Sequence, residues 1–223
     1  TPIKSSAASD VYKRQVPRYT RVVDTAESKD NINKAYNLIS TSKVHNEMII
    51  DDVITCVARK QTPVILTRFK EHAKFLHDAL KEKADHVFLL YGDNSDKENA
   101  EIRVKLKQIP ENESLILMAT GQKIGEGFDF PRLDVLMLAA PVSFEGRLEQ
   151  YVGRLNRDYV GKEAVYVYDY IDSHVRYFDK MYAKRLRTYR KMGFSIWTQE
   201  LQSKQIINAI FDSVNYTLSL IHI

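Results

Sequence analysis

The period of the apolar positions changes several times along the chain. Val64-Ile65-Leu66, Val87-Phe88-Leu89-Leu90, Leu115 to Ala119 and Val135 to Ala139 are short continuous apolar runs. Ala164 to Ile171 alternates Val and Tyr. Such runs, bounded by Gly, Pro, Asn and Asp, predict strands, and continuous runs predict strands covered on both faces of a parallel sheet. Between them the spacing is helical. Lys70 to Lys83 carries Phe75, Leu76 and Leu80, and Ser95 opens a helix to about Gln108 with Glu98 at the capping-box position. Strands separated by helices of this length predict an α/β fold, a doubly wound parallel sheet flanked by helices.

The flanks read differently. Val16 to Asp24 is an extended lead-in. Asn33 to Lys60 is helical, with a break near Ser40–Ser42 and a cap in Ile32-Asn33. Ser173 to Met192 predicts a long helix stopped by Gly193. Its Arg176, Lys180, Lys184, Arg187 and Lys191 form one basic stripe, opposite Val175, Phe178, Tyr182, Leu186 and Tyr189. That stripe is either a solvated face or a contact for a nucleic-acid backbone. Ile196-Trp197 to Val214 is amphipathic, with no role the sequence discloses. The organisation is then a lead-in and helix over 16–60, a sheet domain over 61–172 and a basic helical extension over 173–217. Both ends read as non-native tails, 1–15 and 218–223. The chain begins at Thr1, and Ser5 to Gln15 and Leu218 to Ile223 resemble translated sequencing-adapter read-through, so neither is expected to pack on the core. A chain cut at both sides is the expectation.

With 223 residues, 44% hydrophobic and 28% charged, the chain is an ordinary globular protein, and a net charge of +4 permits a nucleic-acid partner. The single Cys56, in a helical apolar pattern, predicts a buried thiol in a reducing, cytoplasmic setting. The six His show no metal-ligand spacing, and no apolar run approaches the ~18 residues of a membrane span.

The chemistry gathers on Gln150-Tyr151-Val152-Gly153-Arg154-Leu155-Asn156-Arg157. Read as a helix, it puts Gln150, Arg154 and Arg157 at i, i+4 and i+7 on one face, with Leu148, Tyr151, Val152 and Leu155 on another. Guanidinium is planar, permanently charged and forked, which suits phosphate oxygens. Gly153 inside the helix costs roughly 1 kcal/mol against Ala and is easiest to explain if a backbone or ligand comes close. Upstream, Thr120-Gly121-Gln122-Lys123-Ile124-Gly125-Glu126-Gly127-Phe128-Asp129-Phe130-Pro131 directly follows the run Leu115 to Ala119. In open α/β sheets ligands lie beyond the carboxyl ends of the strands, where Thr67-Arg68-Phe69, the Gly-rich loop and the Arg helix all fall.

The order strand, Gly-rich loop, strand, QxxGRxxR helix resembles the second, C-terminal RecA-like domain of superfamily 2 DEAD/DEAH-like helicases, over roughly Val16 to Phe194. The loop and the helix look like that family's motifs V and VI, and Thr67-Arg68-Phe69 like motif IV. Ile124 to Asp129, Pro141-Val142-Ser143 with Gly146, Gln150 to Arg157, and Tyr168 to Asp172 resemble a restriction-subunit-like branch. Asn156 stands where DEAH proteins have the Gly of GRxGR, which favours a duplex-DNA translocase over an RNA helicase.

The resemblance implies roles. Arg157 is the arginine finger, Arg154 its partner on the γ-phosphate of ATP, and Gln150 a helper contact. Asp129 meets the nucleotide ribose or orients the arginines, and Gly127 and Gly125 allow close approach. Thr67, Arg68, Thr120, Gly121 and Lys123 contact the nucleic acid, taken as duplex DNA. No G-x-x-x-x-G-K-[ST] and no Asp-Glu box are present. Those parts, and the Mg²⁺ that accompanies ATP, belong to a first RecA-like domain, so this chain alone should hydrolyse almost no ATP. The alternative is a non-catalytic nucleic-acid or protein binding module derived from a helicase domain. A dinucleotide enzyme is disfavoured by the lack of G-x-G-x-x-G after an early strand.

Overall fold

The computed structural model describes residues 11–92, 94–121, 129–142 and 145–198. Their centre is a parallel sheet of seven strands: β1 (Tyr12–Tyr19), β2 (Pro63–Thr67), β3 (His86–Leu90), β4 (Leu115–Thr120), β5 (Val135–Leu138), β6 (Ala164–Ile171) and the two-residue β7 (Ser195–Ile196). They lie in the order β3-β4-β2-β5-β6-β1-β7. The continuous apolar runs became the central strands, because both of their faces are covered. Leu115, Leu117 and Ala119 point to one face with Val64, Leu66, Leu136 and Leu138. Ile116 and Met118 point to the other with Ile65, Val135 and Met137.

Helices α3 (Lys43–Ala58) and α4 (Lys70–Leu80) cover the second face through Ile49, Val53, Cys56, Leu76 and Leu80. Helices α5 (Asp96–Gln108), α6 (Glu145–Leu155) and α7 (Arg176–Lys191) cover the first through Leu106, Leu148, Tyr151, Val152, Leu155 and Tyr189. A short α1 (Ala26–Asp30) and α2 (Ile32–Thr41) precede α3. Helix α2 makes a third cluster, in which Ala35, Tyr36 and Ile39 meet Val22, Val175 and Phe178.

Several expectations meet the structure closely. The break near Ser40–Ser42 divides α2 from α3, with Ser42 capping His45 N. Ser95 and Glu98 form both bonds of the capping box, at 3.2 Å and 2.7 Å. Gly193 follows the end of α7 at φ +79°, a conformation that favours Gly. Others are corrected. The cap of α2 is Asn31, one residue before the predicted pair, and its side chain accepts from Asn33 N and Lys34 N. Residues 12–15, placed in a tail off the core, are strand: β1 pairs with β6 along its whole length and Gln15 is 0% exposed. The segment 173–198 is continuous with the sheet domain, because α7 buries Phe178 and Tyr189 and β7 pairs with β1. The amphipathic stretch lies outside the described residues from 199 on, as do 1–10 and 218–223. Among the described residues no helix is long and apolar enough to cross a membrane.

Candidate functional site

At the carboxyl end of β2, Thr67 is buried and its hydroxyl lies 2.8 Å from His72 Nδ1. His72 Nε2 lies 2.8 Å from Asn46 Oδ1, and Asn46 Nδ2 donates to Ser40 O at 2.9 Å. The relay has one consistent direction: Thr67 donates to Nδ1, and Nε2–H donates to the Asn46 carbonyl oxygen. Burial, with His45 nearby, pushes the His72 imidazole down to about 3, so the ring is neutral as the relay requires. Thr67, expected as a nucleic-acid contact, thus has its hydroxyl engaged inside the protein.

Arg68 is exposed, and its guanidinium lies 4.4 Å over the Tyr36 ring. Arg68 borders a cleft of about 1030 Å³ between the α2–α3 corner and α4, lined also by Asn37, Lys43, Phe69 and Phe75. Tyr36 reaches further. Its hydroxyl donates to Pro141 O at 2.9 Å.

At the end of β4, Thr120 and Gly121 are half-buried. Tyr151 donates its hydroxyl to Gly121 O at 3.0 Å, and a Cβ at residue 121 would lie 2.4 Å from that hydroxyl. Gly121 is therefore required by the close approach of Tyr151, whatever it also touches. Lys123, Gly125 and Gly127 lie outside the described residues.

Helix α6 carries the arginines as its sequence dictates. Leu148, Tyr151, Val152 and Leu155 are buried, and Gln150 is exposed with Arg154 half-buried beside it. The helix ends at Leu155, so Arg157 stands in the turn that follows and not on the helix. Arg157 Nε lies 3.6 Å from Asp129 Oδ1, with both side chains more than half exposed, at 55% and 57%. A pair this open contributes at most about 1 kcal/mol and leaves the guanidinium available. The backbone approach expected at Gly153 is not made among the described residues: a Cβ there, as at Gly146, would meet nothing within 4 Å.

Lys162 fixes the turn. Its ammonium donates to Leu133 O, Leu155 O and Arg157 O at 2.8, 2.9 and 3.1 Å, and also to Pro131 O. The carboxyl end of α6 and the segment after Asp129 are thus drawn onto one cation, a favourable place for positive charge. Burial pushes the Lys162 ammonium down, against Asp134 and Asp158.

The path from β5 to α6 is held from three sides. His45 Nε2 lies 3.2 Å from Ala139 O, Tyr36 donates to Pro141 O, and Arg185 Nη1 donates to Val142 O at 3.3 Å. Arg185 is buried, and it forks onto Asp169 at 2.8 and 2.7 Å while Tyr189 donates to the same carboxylate at 3.0 Å. Burial works against the Arg185 charge, and Asp169 outweighs it and raises the group. His45 Nδ1 lies 3.1 Å from Asp172 Oδ1, which also accepts from Thr20. None of His45, Tyr36, Lys162 or Arg185 was singled out by sequence. The one signal was Arg185 itself, a charge on the apolar side of α7.

No protein-family profile matches the chain. It is 31% identical over 119 residues to transcript termination protein A18 of Yaba-like disease virus, covering 52% of this chain and 24% of that protein. It is 33% identical over 118 residues to putative helicase 161L of Invertebrate iridescent virus 6, covering 52% and 22%. Against transcript termination protein OPG145 of Vaccinia virus (strain Copenhagen) it is 23% identical over 198 residues, 80% of this chain and 40% of that one. The chain thus spans less than half the length of these relatives. Among solved structures, T4 UvsW superposes with a TM-score of 0.65 at 18% identity, covering 85% of this chain and 42% of that one. The C-terminal domain of the DEAD-box protein Dbp5 gives 0.51 at 14% identity, covering 86% and 92%. The resemblance to the second RecA-like domain of superfamily 2 helicases holds in the fold: the parallel sheet flanked by helices is that of helicase C-terminal domains.

Proposed function

We propose that this chain is the second motor domain of an ATP-dependent nucleic-acid helicase or translocase. In this reading Arg154 and Arg157 face a nucleotide held by a first RecA-like domain, and the ends of β2 and β4 meet the nucleic acid. One observation carries the reading. The solvent side of α6 has Gly146 and Gly153 in open space on either side of Gln150, with Arg154 and Arg157 beside them. A helical Gly costs roughly 1 kcal/mol. Among the described residues nothing repays it at either position, so we read the face as shaped for a partner beyond them, to which it presents guanidinium.

The residues fit ATP. Its γ-phosphoryl group develops negative charge as it is transferred, and an arginine from a neighbouring module stabilises that charge. Arg157 needs only to leave an exposed carboxylate, Asp129, to reach a phosphate, while Lys162 keeps its backbone in place. Gln150 contributes a neutral amide beside Arg154. Gly127 and Lys123 keep, by resemblance, their places at nucleotide and strand. Mg²⁺ is assigned to the first domain. Duplex DNA is the favoured substrate on the restriction-subunit-like pattern; S. cerevisiae Dbp5 is known bound to RNA and ADP BeF3, which makes RNA the competing arm.

The test is ATPase with a first RecA-like domain supplied, wild type against Arg157→Ala, with duplex DNA, single strands and RNA. The variant should lose about 10³-fold or more in kcat, with nucleic-acid affinity within a few-fold of wild type. Unchanged turnover in Arg157→Ala, or steady turnover by this chain alone, overturns the reading.

A further inference from the structure

Helix α7 is a mixed object. Phe178, Arg185, Thr188 and Tyr189 are buried. On the opposite side Arg176, Lys180, Lys184, Arg187 and Lys191 are all exposed. At 100° per residue the five fall within about 80° of arc, and fifteen residues at 1.5 Å give a row about 22 Å long. Lys191 pairs with Glu149 at 3.0 Å. Arg176, Lys180, Lys184 and Arg187 form no ion pair among the described residues. Asp179 is the helix's single acid. Four unpaired like charges at one-turn spacing repel one another, so the row is costly unless an extended polyanion meets it.

We propose that this row is a second contact surface for a nucleic-acid backbone, separate from the ends of β2 and β4. It rests on the nucleic-acid part of the function proposed above. The shape of the helix selects the partner. A lipid surface takes a helix whose apolar side is free to insert, and the apolar side of α7 is spent on the core. An acidic protein would be anchored by apolar or aromatic side chains on the same face, and the row has none. What remains is a partner recognised by charge and spacing alone, which is how phosphate contacts position a strand without reading bases.

The experiment uses the 223-residue chain and fluorescent oligonucleotides, single-stranded and duplex, titrated by anisotropy from 50 to 200 mM salt. Lys180→Ala/Lys184→Ala/Arg187→Ala removes three phosphate contacts. The slope of log K against log salt should flatten by about 2 for a single strand and about 2.7 for a duplex. Over that fourfold salt range, wild type should then lose roughly 16-fold or 40-fold more affinity than the variant. Lys97→Ala/Lys105→Ala/Lys107→Ala on α5 removes the same charge from exposed positions and should leave the slope in place. Three results overturn the surface. If the α7 variant keeps the wild-type slope while Arg68→Ala weakens binding, α7 is not a contact and the motor reading stands. If both triple variants flatten it equally, only net charge was felt. If wild type binds no oligonucleotide, this surface and the nucleic-acid reading fall together. Thermal melts of the variants check that each is folded.

Discussion

Replacing Gly121 with Ala should be costly, and the cost should vanish when one oxygen is removed 30 residues away. The added Cβ would lie 2.4 Å from the Tyr151 hydroxyl but 3.4 Å from its ring carbon Cζ. Tyr151 cannot swing aside, since its ring is buried among Leu148, Val152 and the strands of the first face. Gly121→Ala must therefore shift a packed ring and break the bond from Tyr151 to Gly121 O. Overpacking of this kind costs about 2 kcal/mol within a range of about 1–3. Tyr151→Phe alone loses one hydrogen bond, worth about 1 kcal/mol. The double variant keeps the ring in place with no hydroxyl to strike, so it should cost about as much as Tyr151→Phe alone. The coupling is then about −2 kcal/mol. Urea denaturation of the four proteins reads it, with midpoints differing by on the order of 1 M at ordinary m-values. Single costs that add to within about 0.5 kcal/mol would refute the geometry.

His72 gives a pH signature. Its ordinary value is 6.5 and burial holds it near 3 in the folded protein, so the unfolded chain takes up the proton first. Its contribution is complete above pH 6.5 and is lost as pH falls from 6.5 toward 3, by at most roughly 5 kcal/mol. Urea melts from pH 7 to 4 should show wild type losing stability faster than His72→Asn; parallel curves would sink the relay. Asp169→Asn should destabilise by about 3–5 kcal/mol, because it leaves the buried Arg185 unpaired. Asp169→Leu/Arg185→Leu should recover most of that loss, and a double variant as unstable as the single one would contradict the pairing.

The strands were legible because burial on both faces writes itself as an unbroken apolar run, as in Leu115 to Ala119. The apolar side of α6 was legible for the same reason, since Leu148, Tyr151, Val152 and Leu155 follow the helical period. What failed is what depends on distant partners. Periodicity carried α6 through Arg157, but the helix stops at Leu155, where Lys162 gathers the carbonyls of Leu155 and Arg157. Thr67 reads as a surface hydroxyl in the sequence because its partner His72, itself held by Asn46, comes from another element. Arg185 lay unremarked among apolar neighbours until Asp169 explained it. Residues 12–15 carry a resemblance to adapter read-through, whereas the pairing of β1 with β6 is a property of the whole sheet.

That pairing has a consequence in time. Among the described residues strand β1 pairs with β6 and β7, and Tyr12 meets Ala164 across 152 residues of chain. At about 5–20 residues per second, a ribosome needs roughly 8–30 s to deliver that partner. Meanwhile β2 to β5 can assemble among themselves, since each of their pairings lies within that stretch. The earliest of the described strands is thus among the last to dock. During synthesis it must wait outside a sheet whose edge does not yet exist.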